Sequence, residues 1–197
     1  YTANGTRLLL TGATQPVSVA SYSFYDLEIN KTNPTDVVNP TGAWTVTNSF
    51  TMTRGTWNAG AFNHSIAGAW NSSAAAFTFN AGTSTITLSS ANPNITTKGI
   101  GTDPFYNLTL NSGGTLLSAV QVNQDLLISA GVLNTNNVAN YPSVALAVGG
   151  SITGGGALAG TLGGNQELIS VGANFTVTTY TANGTRLLLT GATQPVS

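Results

Sequence analysis

Eighteen residues recur in this chain without a change: YTANGTRLLLTGATQPVS runs from Tyr1 to Ser18 and again from Tyr180 to Ser197. The offset, 180 − 1, sets a period of 179 residues. Folding alone does not enforce such identity, because volume-conserving apolar swaps in a core usually cost under about 1.5 kcal/mol. Identity at this level comes from recent duplication or from how the segment was cut. Self-similarity at a fixed period is also the signature of repeat architectures, and it governs the reading of everything else.

A weaker repeat lies inside the period. Phe24-Tyr25-Asp26-Leu27-Glu28-Ile29 returns as Phe105-Tyr106-Asn107-Leu108-Thr109-Leu110, an offset of 81 that leaves 179 − 81 = 98 for the other half. WTVTNSFTMTRGTWNAG from Trp44 aligns with VQVNQDLLISAGVLNTN from Val120, and FNAGTSTITLSSANP from Phe79 aligns with YTANGTRLLLTGATQP from Tyr180. The blocks keep their order. The chain therefore divides into an end segment, residues 1–18, identical to residues 180–197; a first half-repeat, residues 24–104; and a second half-repeat, residues 105–197, which runs into the first coil of the next period.

Apolar residues alternate with polar ones at Leu27/Ile29, Phe50/Met52, Phe77/Phe79, Ile86/Leu88, Leu108/Leu110, Leu126/Ile128, Val144/Leu146/Val148 and Phe175/Val177. A period of two marks short strands with one buried face. Turn signals separate them, among them Asn33-Pro34, Asn39-Pro40, Ser112-Gly113-Gly114, Gly149-Gly150 and Asn183-Gly184. Strand centres fall about every twenty residues, the spacing of a solenoid coil. The expected fold is an all-β parallel β-solenoid of about nine coils per period, each advancing roughly 4.8 Å, or roughly 40 Å per period. Ladders of like residues suit it, and Asn134, Asn136, Asn137 and Asn140 are candidates for one. A tandem β-sandwich is the alternative.

Only 6% of the residues are charged, and the net charge is −1. With no basic cluster, nothing in the sequence neutralises a phosphate backbone or an anionic bilayer, so neither nucleic acid nor membrane insertion by this segment is expected. There is no cysteine, which removes disulfides and thiolate metal sites.

The run FYNLTLNSGGTLLSAVQVNQDLLISAGVLNTNN, from Phe105 to Asn137, resembles the tandem repeats of bacterial surface adhesins and filaments with parallel β-helix stalks, in the filamentous-haemagglutinin-like and autotransporter-like style. The resemblance implies an extracellular or cell-surface rod, often adhesive. The first half departs from that pattern with three tryptophans and the Pro-bearing segment from Asn33 to Pro40, so an irregular cross-section or a loop is expected there.

Candidate chemistry is sparse. His64 is the only imidazole and reads as a surface or turn residue. Asp26 and Glu28 share one strand face, as paired carboxylates in sugar hydrolysis do, but their counterparts are Asn107 and Thr109, which favours an exposed polar face. The glycines from Gly154 to Gly164 lack the aspartates of a calcium-binding roll and read as tight turns. No helix follows them to carry a phosphate. Threonine pairs at Thr45/Thr47, Thr51/Thr53, Thr85/Thr87 and Thr176/Thr178 invite an ice-binding reading but fall at irregular offsets, as plain strand preference also gives. Trp44, Trp57 and Trp70 read as filling of a wider coil, with stacking on sugars as the alternative.

Sequons stand at Asn4, Asn30, Asn63, Asn71, Asn94, Asn107, Asn174 and Asn183. Lys31 and Lys98 are the sole lysines, so an internal Lys–Asn cross-link is conceivable, although nothing selects a partner.

The expectation is therefore a structural tandem-repeat unit of an extracellular fibre, filament or stalk, stabilised by stacking of consecutive repeats. Its partners would be adjacent copies of the same repeat, with laterally associated fibres or surface glycans next. An adhesive carbohydrate- or cell-binding module of a surface adhesin is the alternative. No enzymatic activity, catalytic residue, cofactor or metal is expected, and a lyase of the β-helix kind would need more clustered acids and bases than this chain has.

Overall fold

The period-two alternation becomes strand throughout: the described regular elements are all strands, from Arg7–Leu10 to Arg186–Leu189. The structure is a computed structural model and describes residues 5–17, 21–136, 143–160 and 167–191. Every described pairing between strands is parallel. Parallel neighbours cannot be joined by a tight hairpin. Here the connection is the rest of a coil, and the fold is a parallel β-solenoid. The sandwich alternative, which rests on antiparallel pairs, is set aside.

Each coil has three faces. On the first, Phe24, Val46, Ile66, Leu88, Leu110 and Ile128 stack in register, and Ile86, Leu108, Leu126, Ile152 and Phe175 form the neighbouring inward column. On the second, Leu8–Leu27–Phe50 and Leu10–Ile29–Met52 begin the stack. Trp70, Ile95 and Leu116 continue it, and Leu133, Leu158 and Tyr180 end it. On the third, Val38, Trp57 and Phe79 lead, and Phe105 pairs with Val122. Val120, Leu146, Ile169 and Leu187 then follow in register. Three long strands, Ser21–Asn30, Ala43–Asn58 and Ile152–Ala159, bend around corners and join faces into one large sheet.

The first face crosses eight rungs between Phe24 and Val177, which makes seven complete turns. Further sides precede and follow on the other two faces. The stack is shorter than about nine coils because coil length is uneven. From Leu108 to Leu126 a turn takes 126 − 108 = 18 residues, whereas from Leu126 to Ile152 it takes 152 − 126 = 26.

The core is a single column enclosed by the three faces. Its first half is aromatic. Trp44 stacks on Trp57 at 5.7 Å with 7° between the rings, and Trp57, Trp70, Phe79 and Phe105 carry the contact onward. Its second half is aliphatic, built on Leu108, Leu126, Leu146, Ile152 and Ile169. The tryptophans are thus the filling of a wider coil. The Asn33–Pro40 segment adds only a short turn, in which the backbone N–H of Asn33 donates to the Asp36 carboxylate at 2.8 Å, before Val37–Pro40 rejoins the sheet.

Two corners show why glycine is required. A Cβ on Gly172 would lie 2.0 Å from the Gly149 carbonyl oxygen, and one on Gly149 would lie 2.4 Å from that of Asn123, so successive backbones touch there. The asparagine ladder exists, but at Asn39, Asn58 and Asn80. The Asn80 amide donates to Asn58 and the Asn58 amide to Asn39, each at 2.8 Å. The proposed Asn134 site pairs with Thr115 and Ala159 instead, and Asn137 and Asn140 lie outside the described residues.

Candidate functional site: the coil edges and outer faces

The repeated segment supplies a strand near each end of the stack. Arg7–Leu10 and Arg186–Leu189 show the same alternation of burial, with Leu8, Leu10, Leu187 and Leu189 turned toward the core and Leu9 and Leu188 outward at 47% and 45% exposure. Their pairings are complementary. Arg7–Leu10 pairs only forward, with Leu8 beside Leu27 and Leu10 beside Ile29. Arg186–Leu189 pairs only backward, with Leu187 beside Ile169 and Leu189 beside Val171.

The backbone bonds divide in the same way. Thr6 accepts from Asp26 of the following coil, while Arg186 and Thr190 donate to Glu167 and Val171 of the preceding one. In a strand, successive residues turn their backbone groups to opposite edges. The two copies therefore use opposite edges of one strand type, and a single copy has capacity for both sets of bonds. The Arg7 guanidinium adds a 3.2 Å ion pair to Glu28. Asp26 accepts from the Asn48 amide at 2.7 Å. The pair Asp26/Glu28 is engaged in coil-to-coil contacts on the strand's polar side.

The first face carries an outward column that sequence offsets concealed. Ser23, Thr45, Ser65, Thr87 and Thr109 stand in register, and beyond Leu127 the column resumes with Thr153 and Thr176. Coils of unequal length still align their strands, so irregular spacing along the chain hides regular spacing in space. Beside it Asn107, Asp125, Ser151 and Asn174 are chained by hydrogen bonds. The Asn107 side chain accepts from the Asp125 N–H, the Asp125 carboxylate from the Ser151 N–H, and the Ser151 hydroxyl from the Asn174 N–H.

His64 corrects the sequence reading: it is 1% exposed and points inward. Its strand, Asn63–Ile66, follows the alternation, and the inward column seats His64 beside Ile86. Nδ1 accepts from the Trp44 backbone N–H at 3.1 Å, and Nε2 lies 2.9 Å from the Ala59 carbonyl, an acceptor, so the neutral Nε2–H tautomer satisfies both. Burial holds its pKa below the ordinary histidine value, opposed in part by the Ala59 carbonyl. The unfolded chain binds this proton more readily than the folded one. The contribution is fully present above about pH 6.5 and is lost progressively as pH falls below it. His64→Gln is expected to flatten the decline in unfolding free energy between about pH 6.5 and pH 5; an unchanged slope would place the titration elsewhere.

A second buried polar group clamps the chain between Thr97 and Phe105. The Ser72 hydroxyl and the Lys98 backbone N–H, the latter at 2.9 Å, both donate to Asp103, and the Trp70 indole donates to Ser72 at 3.2 Å. Burial pushes the Asp103 carboxyl up, against the hydrogen bond from Ser72. His64 shares no hydrogen-bond partner with either residue, so the three do not form a nucleophile relay.

The Lys98 ammonium donates to the Phe77 carbonyl. That of Lys31 donates to the Thr11 carbonyl at 2.8 Å and is held below the ordinary lysine range by burial. Both lysines thus tie coil to coil through backbone oxygens. Gly55 makes room for the Lys31 stem, since a Cβ there would lie 2.4 Å from its Cγ.

Of the sequons, Asn63, Asn71, Asn94 and Asn174 are exposed, and Asn4 lies outside the described residues. Gly154 to Gly160 form part of a strand and its end, whereas Gly163 and Gly164 lie outside the described residues. Among the described residues no group of three His, Asp or Glu side chains is placed to hold a metal, and no helix is long and apolar enough to cross a membrane. Comparison with protein-family models, curated proteins and solved structures returned no match.

Proposed function

We propose that this chain is a tandem-repeat unit of an extracellular fibre or stalk, in which consecutive periods stack into one continuous solenoid. The observation that carries the reading is the complementary use of the repeated strand. Its forward edge is engaged in Arg7–Leu10 and its backward edge in Arg186–Leu189, with the same leucines turned inward. Joined copies would cover the edges that an isolated coil leaves open to aggregation. Stability would then grow with the number of neighbouring coils, as in other quasi-one-dimensional repeat proteins. The surface-adhesin resemblance of residues 105–137 supports an exported rod.

Electron microscopy of a chain of several periods is expected to show an unbranched rod that lengthens by about 40 Å per period. Separate globules on flexible joints would overturn the reading. The adhesive alternative is favoured by one feature, the hydroxyl and amide columns of the first face, rather than by the tryptophans, which are all buried. Binding of the same chain to a glycan array would favour adhesion over a purely structural role.

A further inference from the structure

The two copies of the repeated strand do not lie on the same face. Arg7–Leu10 belongs to the second face, paired with Ser21–Asn30, whereas Arg186–Leu189 belongs to the third, paired with Leu168–Val171. From Arg7–Leu10 the chain passes two sides to reach the first face at Phe24, makes seven turns to Val177, and passes two more sides to Arg186–Leu189. Seven turns and four sides are 8⅓ turns. The period is not a whole number of coils.

The internal repeat behaves in the same way. Leu27 and Ile29 lie on the second face, and their counterparts Leu108 and Leu110 on the first. Trp44 and Val46 lie on the first, and their counterparts Val120 and Val122 on the third. Phe79 lies on the third, and its counterpart Tyr180 on the second. Each matched block has stepped back by one face. The half-repeat from Leu27 to Leu108 spans three turns and two sides, 3⅔ turns, and the remaining half of the period is left with 4⅔. One sequence pattern is thus accommodated on any of the three faces, because each face asks of a strand only that alternate residues point inward.

We infer that successive periods are rotated about the rod axis by one face, a third of a turn, so that the tandem array is a three-fold screw. This rests on the stacked-rod reading above. The junction keeps every register already present. Leu187 takes the place of Leu8, with Ile169 behind it and Leu27 of the next period ahead, and Arg186 meets the next Glu28 as Arg7 does here. The next period's hydroxyl column, begun on the first face in this one, then runs on the second. A surface feature returns to its own face only after three periods, 25 turns, or about 120 Å. The rod presents the same groups all around its circumference, and no single face carries an unbroken copy of any one column.

The chain has no cysteine, so one introduced thiol per period is a unique label site. Thr78 is exposed on the third face, between inward Phe77 and Phe79, and Thr78→Cys leaves the core untouched. A chain of four consecutive periods carrying this change, tagged with a maleimide gold cluster, is imaged by cryo-electron microscopy. Azimuth is measured relative to the rung-to-rung twist in the same map. Successive clusters are expected about 40 Å apart along the axis and a third of a turn apart around it. Clusters at that rise but on one common face, or at any other step, would overturn the screw while leaving the rod intact. Clusters with no common axis would overturn both.

Discussion

Trp57→Ala is expected to cost about 3–5 kcal/mol of stability, read as a shift in the denaturation midpoint at unchanged slope. Trp57 is fully buried and lies at the centre of the aromatic half of the core, in ring contact with Trp44, Phe50, Trp70 and Phe79. Alanine leaves a cavity that flanking strands, pinned into their ladders on both sides, cannot close. Trp57→Phe is the matched control. It keeps a ring in place and removes an indole N–H that is buried without a hydrogen-bond partner, a liability of about 1–3 kcal/mol. The phenylalanine variant should therefore retain most of the stability. If alanine and phenylalanine cost the same, ring packing is not what holds this half together.

The second large effect is expected at the junction. In a single copy Leu187 is only partly buried, with Ile169 on one side, so Leu187→Asp there should cost little. In a tandem array the same side chain is enclosed between Ile169 and the next Leu27, and an unpaired carboxylate in that position costs several kcal/mol. The variant should therefore lower unfolding free energy per junction in a four-period chain by about 3–5 kcal/mol, and its rods should break or bend at 179-residue intervals. Equal losses in the single and tandem chains would mean that the strand is not enclosed by its neighbours.

Much of the architecture was legible because strands obey a local rule. Leu108/Leu110 and Leu126/Ile128 announce their inward faces by alternation alone, and the absence of salt-bridged helical surface in a chain with so few charges points the same way. The faces themselves were not legible. Coils of 18 and 26 residues align in space, so the column Thr87–Thr109 and its continuation at Thr153–Thr176 could not be found from sequence offsets. His64 misled for a related reason. Its neighbours Asn63 and Ser65 are polar because they point outward, and that polarity was read as exposure of the whole segment, although alternation places the imidazole between them inward. The asparagine ladder was misplaced because nearness along the chain was taken for stacking, whereas Asn39, Asn58 and Asn80 are each a full coil apart.

In the ladders that join coil to coil, the hydrogen bonds lie along the rod and not across it. Tension applied to the ends of such a rod meets these bonds one rung at a time, as in opening a zip, instead of shearing many together. A coil of about 22 residues that comes free exchanges one rung spacing for its full contour, a gain of roughly 70 Å. Under load, then, this architecture lengthens by discrete steps from an exposed end, and the tryptophan-packed coils, with the most surface to unbury, are the ones that give way last.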